Sequence, residues 1–438
     1  MGRRLDMRGK LTAILLANAC CGMAIAQDKV APTNYDEAKV GAYVLPDPFV
    51  MLDRQPVRTP RDWWTKRRPE IVGLYRDYIY GASPPAPRVS DLRCEALGDS
   101  ELDSSRQIRL QRYRLWLKGI PRPLTELAIF TPARAAGPVP VFISPNFLGN
   151  QSITAAFDIP VTRAWVSPRP ELGIDEQGRA GVASRGAQAS RWPLSKITGH
   201  GWGLVSFYYG DLYPDRVGGR DTSIQPYFGR DRGKGYSWGA IATWAWGMSR
   251  ALDCVKRIPA LDAAHAIAIG HSRLGKAALW AAAQDRRFAG AISNDSGEGG
   301  AAISRRDYGE RVADLVRVFP YWFSATYARY AGNEQSLPVE SNFLLGLIAP
   351  RPLYVASAQD DLWADPAGEF AGLVNASPIY EFLGRNGIGT HVMPVVNQPV
   401  IGRLSYHIRS GKHDITEYDW DQYLRFAHTQ IIDKGEVR

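Results

Sequence analysis

At 438 residues, 45% of them hydrophobic, the chain is long enough for one large core, alone or with a smaller companion domain; it carries neither heptads nor a repeat period, which excludes coiled coils and solenoids. Its formal charge of +9 is spread without a dense Lys/Arg run, which argues weakly for polyanionic surroundings and against specific nucleic-acid recognition. Four cysteines in this arrangement make neither a zinc site nor a disulfide scaffold.

In chain order, Arg3, Arg4, Arg8 and Lys10 precede an apolar run from Leu11 to Ile25, and Ala24-Ile25-Ala26 forms a small-x-small cleavage site. This predicts a signal peptide over residues 1–26 and export to the periplasm or beyond; the run is too short for a membrane span. Cys20 and Cys21 raise a lipoprotein alternative, disfavoured because Ala17 stands where a large aliphatic residue is expected. Cleavage removes four basic residues and Asp6, lowering the formal charge from +9 to +6. Cys94 and Cys254 then remain, as one disulfide or as two separate buried thiols.

Residues 27–60, rich in Pro, Asp and Val, read as an extended arm on a single domain spanning 27–438. "RDWWTKRRPEIVGLYRDYIYG" has helical spacing, with Gly81 as its stop. "RQIRLQRYRLWLKG" and "LTELAIFTP" alternate as antiparallel edge strands do, and "VPVFISPNFLG" is an apolar strand ending in a polar turn. The Gly/Ala/Arg/Pro stretch at 160–189 reads as a surface insertion near the site. "GWGLVSFYYGD", "HAIAIG", "FAGAISND" and "PLYVASAQDD" read as buried strands. "WGAIATWAWGMSRALDCV" and "RLGKAALWAAAQD" read as helices between them. "THVMPVV" is a last strand candidate, with "SYHIRSGKHD" following it. This alternation predicts an α/β fold, a three-layer sandwich with a mainly parallel central sheet whose ligands bind at the carboxyl ends of the strands.

The decisive stretch is Gly270-His-Ser-Arg-Leu-Gly275-Lys276. Its G-x-x-x-x-G-K spacing matches a phosphate-binding loop, but Ala277 lacks the hydroxyl that would ligate Mg²⁺. Alternatively, Ser272 sits on the sharp strand-to-helix turn that presents a nucleophile, although the closing glycine comes one residue late. The order serine, acid, histidine along the chain supports that second reading. His413 in "SGKHD" is the preferred general base and His407 the runner-up, while His265 and His271 read as structural. Asp361 and Asp295 compete as the group that orients the imidazole, with Asp360 third.

The stretch "GHSRLGKAALWAAAQDRRFAGAISNDSGEGGAAISRR" resembles the signature of the glucuronoyl esterases, carbohydrate esterase family fifteen, particularly bacterial members. "PNFLGNQS", "RWP", "GYSWGAIATWAWG", "QDDLWADP" and "GKHD" match more loosely. The resemblance implies an α/β-hydrolase fold and a serine esterase. Such an enzyme cleaves the ester between (4-O-methyl-)glucuronic acid of glucuronoxylan and lignin alcohols, with no cofactor and no metal. It further implies Arg273 as an oxyanion donor, Lys276 and Glu310 as sugar-hydroxyl partners and Trp363 as a wall against the uronate ring. Where fungal members have Glu, this chain has Asp295; where they join two cysteines beside the serine and histidine, it has His271 and Lys412. The expected partners are glucuronoxylan and lignin–carbohydrate esters, with no nucleic acid and no membrane span, and the expected state is a monomer. The alternatives are an acetyl xylan or pectin-type methyl-uronate esterase, and a non-catalytic carbohydrate-binding relative.

Overall fold

The computed structural model describes residues 32–228 and 238–432, so the leader expected over 1–26 lies outside the described residues. Ten strands form one sheet: β1 (Leu92–Ala96), β2 (Glu101–Asp103), β3 (Ile108–Leu117), β4 (Thr125–Pro132), β5 (Val139–Asn146), β6 (Gly203–Tyr208), β7 (Leu261–His271), β8 (Gly290–Asn294), β9 (Leu353–Ala358) and β10 (Leu404–Arg409). Their spatial order is β1-β3-β4-β6-β5-β7-β8-β9-β10, with β2 paired to β3. From β6 to β10 every neighbouring pair is parallel, while β1, β3 and β4 add an antiparallel edge. β4 is buried on both faces, with Leu127 and Ile129 in one core and Ala128 and Phe130 in the other, while the middle of β3 is only partly buried.

Side chains alternate across the central strands. Val141 and Ile143 of β5, Ala266 and Ala268 of β7 and Leu353 and Val355 of β9 face one core. Helices Ala240–Val255, Arg273–Gln284 and Pro366–Phe382 pack over that face. Phe142, Ile267, Ile269 and Tyr354 face the other core, under the helices Leu194–Gly199 and Glu417–Ala427. Strands buried on both faces lose the polar/apolar alternation, which is why these segments read as continuous apolar runs.

Residues 60–80 are helical, opened by a Thr59/Asp62 capping box with Pro60 in the first turn, and Gly81 at φ +83° ends the run. Cys94 of β1 is disulfide-bonded to Cys254 near the end of helix Ala240–Val255, which settles the cysteine alternatives. The last strand differs from expectation. Residues 390–396 form no strand, whereas Leu404–Arg409, overlapping the stretch that follows them, is β10. Pro394 lacks the N–H a ladder needs, and Val392 and Val395 lie exposed. In β10 Leu404, Tyr406 and Ile408 alternate with Ser405, His407 and Arg409, all six buried, so the strand carries a period-2 pattern that the more apolar stretch at 390–396 outweighed.

Candidate active site

Ser272 lies between the end of β7 and helix Arg273–Gln284, at φ 57° and ψ −131°. A non-glycine residue in that region is strained and persists only where its surroundings fix it. Here the turn is fixed by close backbone packing: a Cβ on Gly270 would lie 2.0 Å from the Leu274 carbonyl oxygen. A Cβ on Gly275 would lie 3.1 Å from both the Gly270 carbonyl oxygen and Ser293 Oγ. The second glycine therefore packs the helix onto the sheet, which explains its late position in the motif. Ser272 sits at the N-terminus of the helix, where unpaired backbone N–H groups favour developing negative charge.

His413 follows β10 in a short loop, and its Nδ1–H donates to Asp361 Oδ2 at 2.5 Å. Asp361 is buried just after β9, while the His413 ring remains partly exposed. Ser272 and His413 line the same pocket, of about 220 Å³, together with Arg273, His271 and Phe147. Asp295 follows β8 at φ 45°, and one oxygen of each carboxylate and one nitrogen of His413 fall within 4.8 Å of one another. That set has cation-ligating chemistry, but His413 Nδ1 is already committed to Asp361.

The two aspartates differ in environment. Asp295 is fully enclosed and neither of its oxygens has a hydrogen-bond partner among the described residues. Burial pushes its carboxyl well above the ordinary range, Glu369, Asp361 and Asp419 push it further, and Arg409 opposes them. A carboxyl in that setting is held neutral. Asp361 is thus the aspartate that carries the contact to the imidazole. Arg409 stands 3.6 Å from Asp295, bonds Asp419 at 2.8 Å and donates to the carbonyls of Lys412 and Asp414. It braces the loop that carries His413 from both sides. The runner-up His407 is buried on the opposite face, between Tyr354 and Asp419, both at 2.8 Å. Asp360 is exposed.

The Arg273 guanidinium lies over the ring of Trp322 at 4.7 Å and bonds Asp215. Asp215 also accepts from Trp322 Nε1, Tyr209 and Tyr321 at 2.7, 2.8 and 3.0 Å. Burial works against the charge on Arg273, yet Asp215 outweighs it and raises the pKa. Arg273 Nε has no partner among the described residues. One helical turn on, Lys276 Nζ is buried 2.9 Å from Glu310 Oε2, and Trp363 Nε1 donates to Glu310 Oε1 at 3.1 Å. Lys276, Glu310 and Trp363 therefore converge, and the lysine's ammonium faces a carboxylate in place of phosphate.

Sequence reasoning missed Asp215, Arg409, Arg191 and the placement of His271. The His271 ring packs 4.4 Å from that of His413, and its Nδ1–H donates to Asn294 Oδ1 at 2.6 Å. Burial first, then His413 and Arg191, drives its pKa well below the usual value, so it stays neutral. Residues 160–189 contain only short 3₁₀ turns and isolated bridges, and Ser167, Arg169 and Leu172 from this stretch line the pocket. Arg191, just beyond, pairs with Asp414 at 2.6 Å. Only "PDR" around Asp215 gave any local signal, as a turn.

Comparison with known proteins places this arrangement in a family. A family model described as "Glucuronyl esterase, fungi" matches residues 228–384. Carbohydrate esterase MZ0003 from an unknown prokaryotic organism is 40% identical over 92% of this chain and 93% of its own. A 4-O-methyl-glucuronoyl methylesterase of Schizophyllum commune is 29% identical over 86% of this chain and 82% of its own. The solved glucuronoyl esterase from Solibacter usitatus superposes with a TM-score of 0.83 at 44% identity, covering 90% of this chain and all of that one. With the mainly parallel sheet, the strained serine turn and these relatives together, the chain belongs to the glucuronoyl esterase family, on the α/β-hydrolase fold.

Proposed function

We propose that the chain is a serine esterase that hydrolyses the ester joining (4-O-methyl-)glucuronate of glucuronoxylan to lignin alcohols, acting as an exported monomer. The observation that carries the reading is the 2.5 Å His413–Asp361 contact opening on the same pocket as the strained Ser272. Ser272 Oγ attacks the C6 carbonyl carbon as its proton passes to His413 Nε2. Asp361 holds the imidazole tautomer and stabilises the imidazolium. The oxyanion is met by the backbone N–H groups at the helix start and by Arg273, which its Asp215 contact fixes in place. The C–O bond to the alcohol then breaks, with His413 supplying the proton. Water attacks the glucuronoyl-serine, gives its proton to His413, and frees the uronate and Ser272. Lys276, Glu310 and Trp363 hold the sugar. These steps need no cofactor.

Several features support export. A leader-like stretch precedes a chain whose Cys94–Cys254 disulfide suits an oxidising compartment, and no described helix is long and apolar enough to cross a membrane. The test is the initial rate on benzyl glucuronate beside an acetylated xyloside, for the wild type and Ser272→Ala. Cleavage of the glucuronate ester, abolished in the variant, is expected. Cleavage of the acetyl ester alone would reassign the substrate, and activity surviving Ser272→Ala would overturn the nucleophile.

A further inference from the structure

Opposite the active site, at the amino ends of β7 to β10, lies a depression of about 1160 Å³ lined by Arg351, Arg385, Arg403 and His265 among others. The parallel strands separate it from Ser272 by roughly 16–20 Å, the length of five or six strand residues. Among the described residues Glu381 is the one carboxylate in its lining, and Asp262 is taken up by His265 at 2.5 Å.

Arginines buried elsewhere in this protein meet carboxylates: Arg67 pairs with Glu70, Arg250 with Asp253, Arg305 with Glu340 and Arg409 with Asp419. Those at the base do not. Among the described residues, Arg385 and Arg403 have no ion-pair partner, and the Nε of each is shielded from solvent without a hydrogen bond. Arg351 spends its guanidinium on the carbonyls of Ala282, Asp285, Phe288 and Ile348. Its charge is therefore hydrogen-bonded but not neutralised. Burial lowers the pKa of Arg403, and Arg385 lowers it further, so the two guanidinium groups repel each other. Arg68 and Arg286, stacked on Trp64 at 5.7 and 4.3 Å, extend the positive field toward Arg351.

Half-buried guanidinium groups that repel one another are costly unless an anion neutralises them, and their planar forks match carboxylate. We infer that this basal depression is a second polysaccharide site, in which Arg385 and Arg403 bind free uronate carboxylates of an acidic xylan while Ser272 acts on an esterified one. The identity of the polymer rests on the proposed esterase activity; the anion site itself does not.

Native affinity electrophoresis through glucuronoxylan, with uronate-free arabinoxylan as control, tests this, using the wild type and Arg385→Gln/Arg403→Gln. Glucuronoxylan should retard the wild type more than arabinoxylan does, and the double variant should bind it about tenfold more weakly, two charge-assisted contacts being lost. Its rate on benzyl glucuronate should be unchanged, which separates failure of this site from failure of the esterase reading. Arg385→Lys/Arg403→Lys should keep most of the binding, and salt should weaken binding of the wild type. Equal retardation by both polymers, undiminished binding by the Gln variant, or salt-independent binding would overturn the proposal. So would equally tight binding of a sulfated polymer or DNA, which would make the surface a general polyanion patch.

Discussion

At the scale of single residues, two aspartates equidistant in sequence logic are separated by their surroundings. Asp361 holds His413 Nδ1, whereas Asp295 makes no hydrogen bond among the described residues and burial pushes its carboxyl well above the ordinary range. Asp361→Asn should therefore lower kcat by about 10³–10⁴, the loss expected when the imidazole tautomer is no longer held. Asp295→Asn, which replaces a neutral carboxyl with a neutral amide, should cost less than about tenfold, a difference of roughly 1.4 kcal/mol. Equal losses in steady-state kinetics on benzyl glucuronate would contradict the assignment. Ser272, His413 and both aspartates were legible because the order of residues and the strand-end positions constrain them. The choice between the aspartates was not, because it depends on which carboxyl the fold supplies with hydrogen-bond donors.

At the scale of elements, Glu369 in the first turn of helix Pro366–Phe382 ties three strand ends together. Its carboxyl accepts from the backbone N–H groups of Ser296 and Gly297 at 2.7 and 3.0 Å and from Ser357 Oγ at 2.6 Å. Tyr406 of β10 donates in turn to Ser357 at 2.9 Å. Burial raises the Glu369 pKa to about 8, from 4.5 in the free chain, against the pull of these hydrogen bonds. Between those values the folded protein retains a proton that the unfolded chain has lost. The stabilisation is full below pH 4.5 and is lost as pH rises through about 8. Glu369→Gln, which is neutral at every pH, should therefore make Tm fall less between pH 6 and pH 9 than it does in the wild type. Circular dichroism melts at the two pH values would detect it; an unchanged slope would count against a neutral Glu369. Strands β5, β7, β8 and β9 announced themselves through apolar runs, whereas β10 alternates Leu404, Tyr406 and Ile408 with the buried polar residues Ser405, His407 and Arg409. "THVMPVV" was apolar enough to be read as a strand, yet Pro394 denies it a place in the sheet.

At the scale of the whole molecule, the Cys94–Cys254 bond closes a loop of 160 residues, fastening the antiparallel edge to the helical layer. A bridge of this kind typically contributes about 2–4 kcal/mol, largely by restricting the unfolded chain. Reduction, or Cys94→Ser/Cys254→Ser, should lower Tm by several degrees while leaving the initial rate at 25 °C unchanged, since neither cysteine approaches Ser272. Loss of activity before loss of structure would refute that separation. The Arg191–Asp414 pair has a different reach. Asp414 adjoins His413, so the stretch that lines the pocket from outside is fastened to the loop that presents the imidazole. Whoever grafts a foreign 160–192 segment onto this scaffold to change its substrate will also be re-aiming the histidine, unless the graft brings its own cation to the place of Arg191.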